Sequence, residues 1–235
     1  MKPILTALIL LFSANTYAQT AAELLIQANR STLERDYDKA LHLYSKYIIL
    51  NPNDFRGYFN RGTTEFNAGK YLEAKRDFTK TLTLNPIYKE AYYYRGLCQV
   101  ELKDYNAAIT DYTHVLKDNP RSVPFLKVRA DAYNANGSKE MALADFDVAI
   151  RITKLSGDLY KRRAELKVEM KDVDGALRDY NSVEKLLPKY KMVHYIKGNL
   201  YLKINEIEFA CDEYQKALDN SIVVAERSHK ENCIP

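Results

Sequence analysis

The chain has 235 residues, 46% hydrophobic and 28% charged, with 35 basic against 31 acidic side chains and a formal charge of +4. This balance excludes intrinsic disorder, and so mild a positive excess excludes the footprint of a nucleic-acid-binding protein. Eight glycines and seven prolines are too few for the tight turns of an all-β fold, and three cysteines give neither a disulfide framework nor a metal-ligand spacing.

Lys2, the apolar run Ile4–Phe12 and the small-residue site Thr16-Tyr17-Ala18 follow the order of a secretory signal peptide over 1–18, cleaved after Ala18. A buried N-terminal helix is the alternative. The run is too short to span a bilayer and no later stretch is long and apolar enough, so the chain is not expected to be an integral membrane protein. No Cys follows the site, which argues against a bacterial lipid anchor. The expectation is an exported chain, 19–235, in the periplasm or secreted, where disulfides are permitted.

The rest of the sequence repeats itself. Ala40, Ala74, Ala108, Ala142, Ala176 and Ala210 are spaced by 34. Four residues after each stands an aromatic: Tyr44, Phe78, Tyr112, Phe146, Tyr180 and Tyr214. Twelve residues before each stands a tiny residue: Ala28, Gly62, Gly96, Ala130, Ala164 and Gly198. Proline closes four of the units, at Pro52, Pro86, Pro120 and Pro188, with Lys154 and Ile222 in its place in the other two. In the second unit one helix is predicted over about Phe55 to Ala68 and another over about Tyr71 to Leu84, with Gly69 at the turn and Asn85-Pro86 as the stop. Tiny residues let the paired backbones approach, the aromatics fill the space between pairs, and only stacking buries the remaining apolar side.

This pattern resembles the tetratricopeptide repeat family over about Ala21 to Ile222, most fully in YFNRG (Tyr58–Gly62) with Ala74, Phe78 and Pro86. It departs from the family in having no Trp and in the two missing prolines. The resemblance implies an all-α, right-handed superhelical solenoid of helix-turn-helix units, whose first helices line a concave groove. Six units are placed at about 21–54, 55–88, 89–122, 123–156, 157–190 and 191–224, with a short capping helix in 225–235.

Charge repeats too. Arg61, Arg95, Arg129, Arg163 and Lys197 precede the tiny column, and Asp77, Asp111, Asp145, Asp179 and Glu213 precede the aromatic column. In an antiparallel hairpin these positions are level, which predicts a ladder of ion pairs serving register more than net stability. A row of basic ligand contacts is the alternative. The same levelling, applied to the last helix and the cap, sets Cys211 beside Cys233, so an exported chain is expected to join them, with two separate thiols as the alternative. Cys98 is expected to be a buried small hydrophobe.

No catalytic or metal-binding motif is present. The four histidines have no ligand spacing, His194 falls in a large-residue core column, and Gly57–Gly62 has phosphate-loop spacing without its lysine. No cofactor, metal or catalytic residue is expected, and the chain is not expected to be an enzyme. Groove positions read off the first helices are Arg56, Phe59, Thr63, Glu90, Tyr93 and Leu97, then Lys127, Asp131, Lys161, Glu165, Tyr195 and Asn199. Lys127 with Asp131 and Lys161 with Glu165 are spaced to satisfy each other, whereas Phe59, Tyr93 and Leu97 have no such partner. The partner, a protein or peptide, is therefore expected on Phe59, Thr63, Tyr93 and Leu97, flanked by Arg56 and Lys127. An ordinary half-packed Tyr at this position is the alternative. The function expected is a non-catalytic exported scaffold, within a cell-envelope complex. The other reading is an accessory subunit that holds a polymer such as a glycan.

Overall fold

The computed structural model describes residues 20–233. The signal-peptide segment 1–18 lies outside the described residues. Among the described residues there are helices and no strands. In chain order they are α1 (20–33), α2 (Tyr37–Leu50), α3 (Phe55–Asn67), α4 (Tyr71–Leu84), α5 (Lys89–Glu101), α6 (Tyr105–Asp118), α7 (Val123–Ala135), α8 (Lys139–Ile152), α9 (Gly157–Glu169), α10 (Val173–Leu186), α11 (Met192–Lys203), α12 (Ile207–Asp219) and α13 (Ala225–Cys233). The chain divides into two compact units, Met1–Asp118 and Asn119–Pro235. In the first, α2 to α6 pack each against the next; in the second, α7 to α13 do the same.

Each helix pair closes through one local device. Arg35, Gly69, Lys103, Gly137, Lys171 and Asn205 all have positive φ. In every case the following N–H reaches back five residues, as from Lys70 to the Glu65 carbonyl (2.8 Å) and from Asp104 to the Gln99 carbonyl (2.7 Å). That bond satisfies a carbonyl the helix end would otherwise leave open. Only two of the six positions are glycine, so the other four hold L side chains where they cost about 1 kcal/mol each. Neighbouring pairs compensate by burying Ala40, Tyr44, Ala74, Phe78, Ala108 and Tyr112 in the first unit and Ala142, Phe146, Ala176, Tyr180, Ala210 and Tyr214 in the second.

The ion-pair ladder is present at all five rungs. Arg61 donates to Asp77 from Nε (2.6 Å) and Nη2 (2.8 Å), and Arg95 donates to Asp111 from the same atoms at 2.8 and 2.6 Å. Arg129–Asp145 and Arg163–Asp179 repeat this two-point geometry, and Lys197 meets Glu213 at 2.9 Å. The remaining guanidinium nitrogen reaches back to the preceding pair: Arg61 Nη1 to Ser45 Oγ (3.1 Å), Arg95 Nη1 to Thr79 Oγ1 (3.4 Å) and Arg163 Nη1 to Asp147 Oδ1 (2.6 Å). One arginine thus ties its own hairpin and the one before it.

One buried carboxyl stands outside the ladder. Glu65 on α3 is 9% exposed, and its Oε2 has no hydrogen-bond partner. Burial, reinforced by the nearby Asp77 carboxylate, raises its pKa from 4.5 to about 7. A carboxyl raised in the folded state contributes stability that is complete below its unfolded pKa and is lost as pH rises through the folded value. The chain is therefore expected to lose on the order of 2 kcal/mol between about pH 4.5 and 7 from this group. Glu65→Gln should flatten that part of a pH–denaturation profile and leave the variant more stable than wild type at pH 8. A variant with an unchanged slope would rule this out.

The cap is α13, with Ala225 as its only fully buried residue and Cys233 bonded to Cys211 on α12, Cα atoms 5.5 Å apart. Nine residues are too few to hold a helix in water. Closing this loop contributes about 3 kcal/mol on the chain-entropy account. Cys211→Ser is expected to strip the α13 amides of hydrogen-exchange protection while α3 and α4 keep theirs. Protection retained in α13 would show that packing alone holds it. Cys98 is fully buried, and burial pushes its thiol up to about 12, so it behaves as an inert apolar side chain.

Candidate functional site

The face in question is carried by the first helix of each pair. In the first unit α3 is capped by Asp54, whose carboxylate accepts the Arg56 N–H at 3.0 Å. The same carboxylate accepts the Arg56 side chain through Nε (2.9 Å) and Nη2 (2.7 Å), and the Tyr47 hydroxyl donates to it. Burial alone would raise the Asp54 pKa, but these donors bring it down to about 2. Arg56 thus pairs with the capping carboxylate while its side chain stays 63% exposed.

Phe59 has ring partners that its spacing in the sequence does not show. Its ring centroid lies 4.9 Å from Tyr88, 5.7 Å from Phe78 and 5.8 Å from Tyr94. It is half-buried in a cluster with Ala74 and Cys98, so it has internal partners and presents only an edge. Thr63 donates to the Asn60 carbonyl at 2.8 Å. Tyr93 meets Tyr94 edge to face at 5.5 Å, and Leu97 is half-buried. Glu90 is exposed beside them. Phe59, Tyr93 and Leu97 thus sit on α3 and α5 of one unit, and the first two share a ring contact with Tyr94.

Lys127 belongs to the second unit, and there the equivalent face is closed by charge. Its Nζ lies 2.7 Å from Asp158 on α9, not on Asp131 as the spacing within α7 predicts. Asp131 is taken instead by Arg162 (2.9 Å). The exchange places each charge against the neighbouring pair, and Arg162 also lies 3.5 Å from Asp158 on its own helix. Lys161 meets Glu165 at 3.8 Å as expected and also stands 4.6 Å over the Tyr190 ring. Asn199 accepts the Tyr214 hydroxyl at 2.8 Å, and Tyr195 lies against the same ring.

The last rung of the ladder is a four-residue cluster. Glu184, His194 and Glu213 bring ligand-capable atoms within 4.8 Å of one another. Lys197 Nζ sits between the carboxylates, 2.8 Å from Glu184 and 2.9 Å from Glu213, and His194 Nδ1 lies 2.8 Å from Glu213. Burial would lower the Lys197 pKa, but its two carboxylates hold it above the usual lysine range. An ammonium stands where a metal would sit, so the cluster works as an internal ion-pair network. Glu184 was not found from the sequence. The signal was there, since Ile48, Leu82, Leu116, Ile150 and Leu218 fill the same column in the other units.

Stacked helical hairpins with an internal salt-bridge ladder define a helical-repeat protein that acts through its surfaces. The sequence profile of the tetratricopeptide repeat family matches residues 59–113 and 99–156, so this part of the chain is similar to tetratricopeptide repeats. Among solved structures, MamA from Desulfovibrio magneticus RS-1 is 19% identical with a TM-score of 0.68, over 72% of this chain and 96% of that one. A tetratricopeptide repeat protein from Parabacteroides merdae ATCC 43184 is 23% identical with a TM-score of 0.66, over 89% of this chain and 83% of that one. YrrB, described as a TPR protein with an unusual peptide-binding site, is 17% identical with a TM-score of 0.64, over 77% and 97%. Identities this low establish a shared fold. No curated protein sequence matches the chain significantly.

Proposed function

We propose that this chain is a non-catalytic, exported interaction scaffold that takes a peptide or protein segment on the α3–α5 face of its first unit. The observation that carries this reading is the contrast between the two units. On α3 and α5 the face is apolar and aromatic, with Phe59, Tyr93 and Leu97 half-buried. On α7 and α9 it is crossed by the Lys127–Asp158 and Arg162–Asp131 pairs. Half-exposed aromatics are the surface a partner's side chains can dehydrate, whereas paired charges gain little by burial. The peptide-binding site named for YrrB, a protein of the same fold, is consistent with this use. Export to the periplasm or beyond, within a cell-envelope complex, rests on the leader pattern at 1–18, and the Cys211–Cys233 bond suits an oxidising compartment.

The test is a pull-down from envelope extract comparing wild type with Tyr93→Ser plus Leu97→Ser. Loss of two apolar anchors should lower recovery of the protein partner about tenfold or more, with the melting midpoint lowered only slightly because both side chains are half-buried. Phe59 is left intact because a charge there would enter the ring cluster. Undiminished recovery would refute the assigned face. Lost polysaccharide with retained protein would favour the glycan-binding reading. N-terminal sequencing of the protein from its host should begin at Gln19, and an intact Met1 would refute export by cleavage.

A further inference from the structure

We propose that one end of the second unit, formed by the α8–α9, α10–α11 and α12–α13 turns, is a docking edge for an anionic lipid surface. Helices in the stack alternate in direction, so every second turn lies at the same end. Contacts join the three turns. Leu187 fills the space against Gly157, where an added Cβ would lie 2.5 Å from its Cγ. Lys161 Nζ stands over Tyr190. Tyr195 and Ile222 pack on the Ala217 cluster.

This end carries an excess of unpaired positive charge. Arg151, Lys154, Lys185, Lys189 and Lys191 are exposed, and among the described residues none lies within ion-pair distance of a carboxylate. Three acids at the same end are paired, Asp158 by Lys127, Glu184 by Lys197 and Glu226 by Lys230, and Asp219, hydrogen-bonded to the neutral Gln215 amide, leaves one negative charge against the five cations. Among these cations stand apolar side chains on the turn tips. Leu155 is 81% exposed, Val223 74% and Val224 55%.

A row of aliphatic points ringed by lysine and arginine matches the chemistry of a bilayer interface. The aliphatic groups enter the acyl boundary, while the ammonium and guanidinium groups meet headgroup phosphates. An acidic protein segment would satisfy the charges but give the protruding Leu155, Val223 and Val224 no reason to be apolar. No described helix is long and apolar enough to cross a membrane, so the contact is peripheral.

The test is co-sedimentation of the full chain with vesicles of phosphatidylglycerol and phosphatidylcholine, against phosphatidylcholine alone. Binding is expected to the anionic vesicles and to fall with added salt. Each cation near an anionic leaflet is worth about fivefold, so Lys185→Gln with Lys189→Gln and Lys191→Gln should lower partitioning on the order of a hundredfold. Leu155→Ser should lower it about tenfold. All these side chains are exposed, so the melting midpoint serves as the folding control. Three outcomes overturn the proposal. The first is absence of binding to anionic vesicles. The second is binding indifferent to headgroup charge and to the variants, which would place the contact elsewhere in the chain. The third is lysine-dependent capture of polyglutamate with Leu155→Ser without effect on vesicles, which would assign the edge to an acidic macromolecule.

Discussion

Gly96→Val is expected to lower the stability of the first unit by about 3 kcal/mol or more. A Cβ at Gly96 would lie 2.3 Å from Cε1, 2.5 Å from Cζ and 2.7 Å from Oη of Tyr112. These are ring atoms of a fully buried side chain, not the free end of a flexible one. A β-branched residue adds two further carbons and holds them in few rotamers. Gly96→Ala should be milder, because Ala28 and Ala164 already share core clusters with Tyr44 and Tyr180 in other hairpins. Chemical denaturation with the pair Gly96→Val and Tyr112→Leu provides the check. If the clash is the cause, shrinking the ring recovers part of the loss and the two changes are not additive. A wild-type midpoint for Gly96→Val would mean that the close approach of α5 and α6 is not what holds this hairpin.

Arg95→Met is expected to cost about 3 kcal/mol near neutral pH. Asp111 is 5% exposed and receives two hydrogen bonds from Arg95, at 2.8 and 2.6 Å. Removing the guanidinium leaves a carboxylate out of water with its charge uncompensated. Replacing both partners, Arg95→Met with Asp111→Leu, should regain most of the loss, because an apolar pair of similar volume needs no compensation. If the double variant is no more stable than the single, the charge is not what the arginine answers. The third guanidinium contact, to Thr79 on α4, adds a local readout. Because stacked repeats depend on their neighbours, Arg95→Met should loosen α4 and α6 in hydrogen exchange more than α2.

The ladder was legible in the sequence down to the individual pairs. Arg61 with Asp77 and Arg95 with Asp111 follow from a fixed turn position and the constant rise of two antiparallel helices. The turn itself was marked by glycine only at Gly69 and Gly137. Arg35, Lys103, Lys171 and Asn205 adopt the same left-handed conformation without the residue type that advertises it, because the backbone bond across the turn outweighs their strain. The candidate face was less legible. Arg56 read as a free groove cation, yet the Asp two residues earlier holds it. Phe59 read as unpartnered because Tyr88 and Tyr94 belong to the next hairpin.

The period of 34 by itself determined the helices, their pairing, the tiny-to-aromatic contacts, the five salt-bridge rungs and the level placement of Cys211 and Cys233. All of these lie within one hairpin or one hairpin and its cap, where chain connectivity and helix geometry fix distances. Only the tertiary structure decided that Lys127 chooses Asp158, that Glu184 joins the last rung, that Glu65 is buried without a partner, and that Phe59 sits on an aromatic floor. These contacts depend on the angle and offset at which side chains from successive helices interlock, and a column of residue types carries no record of either.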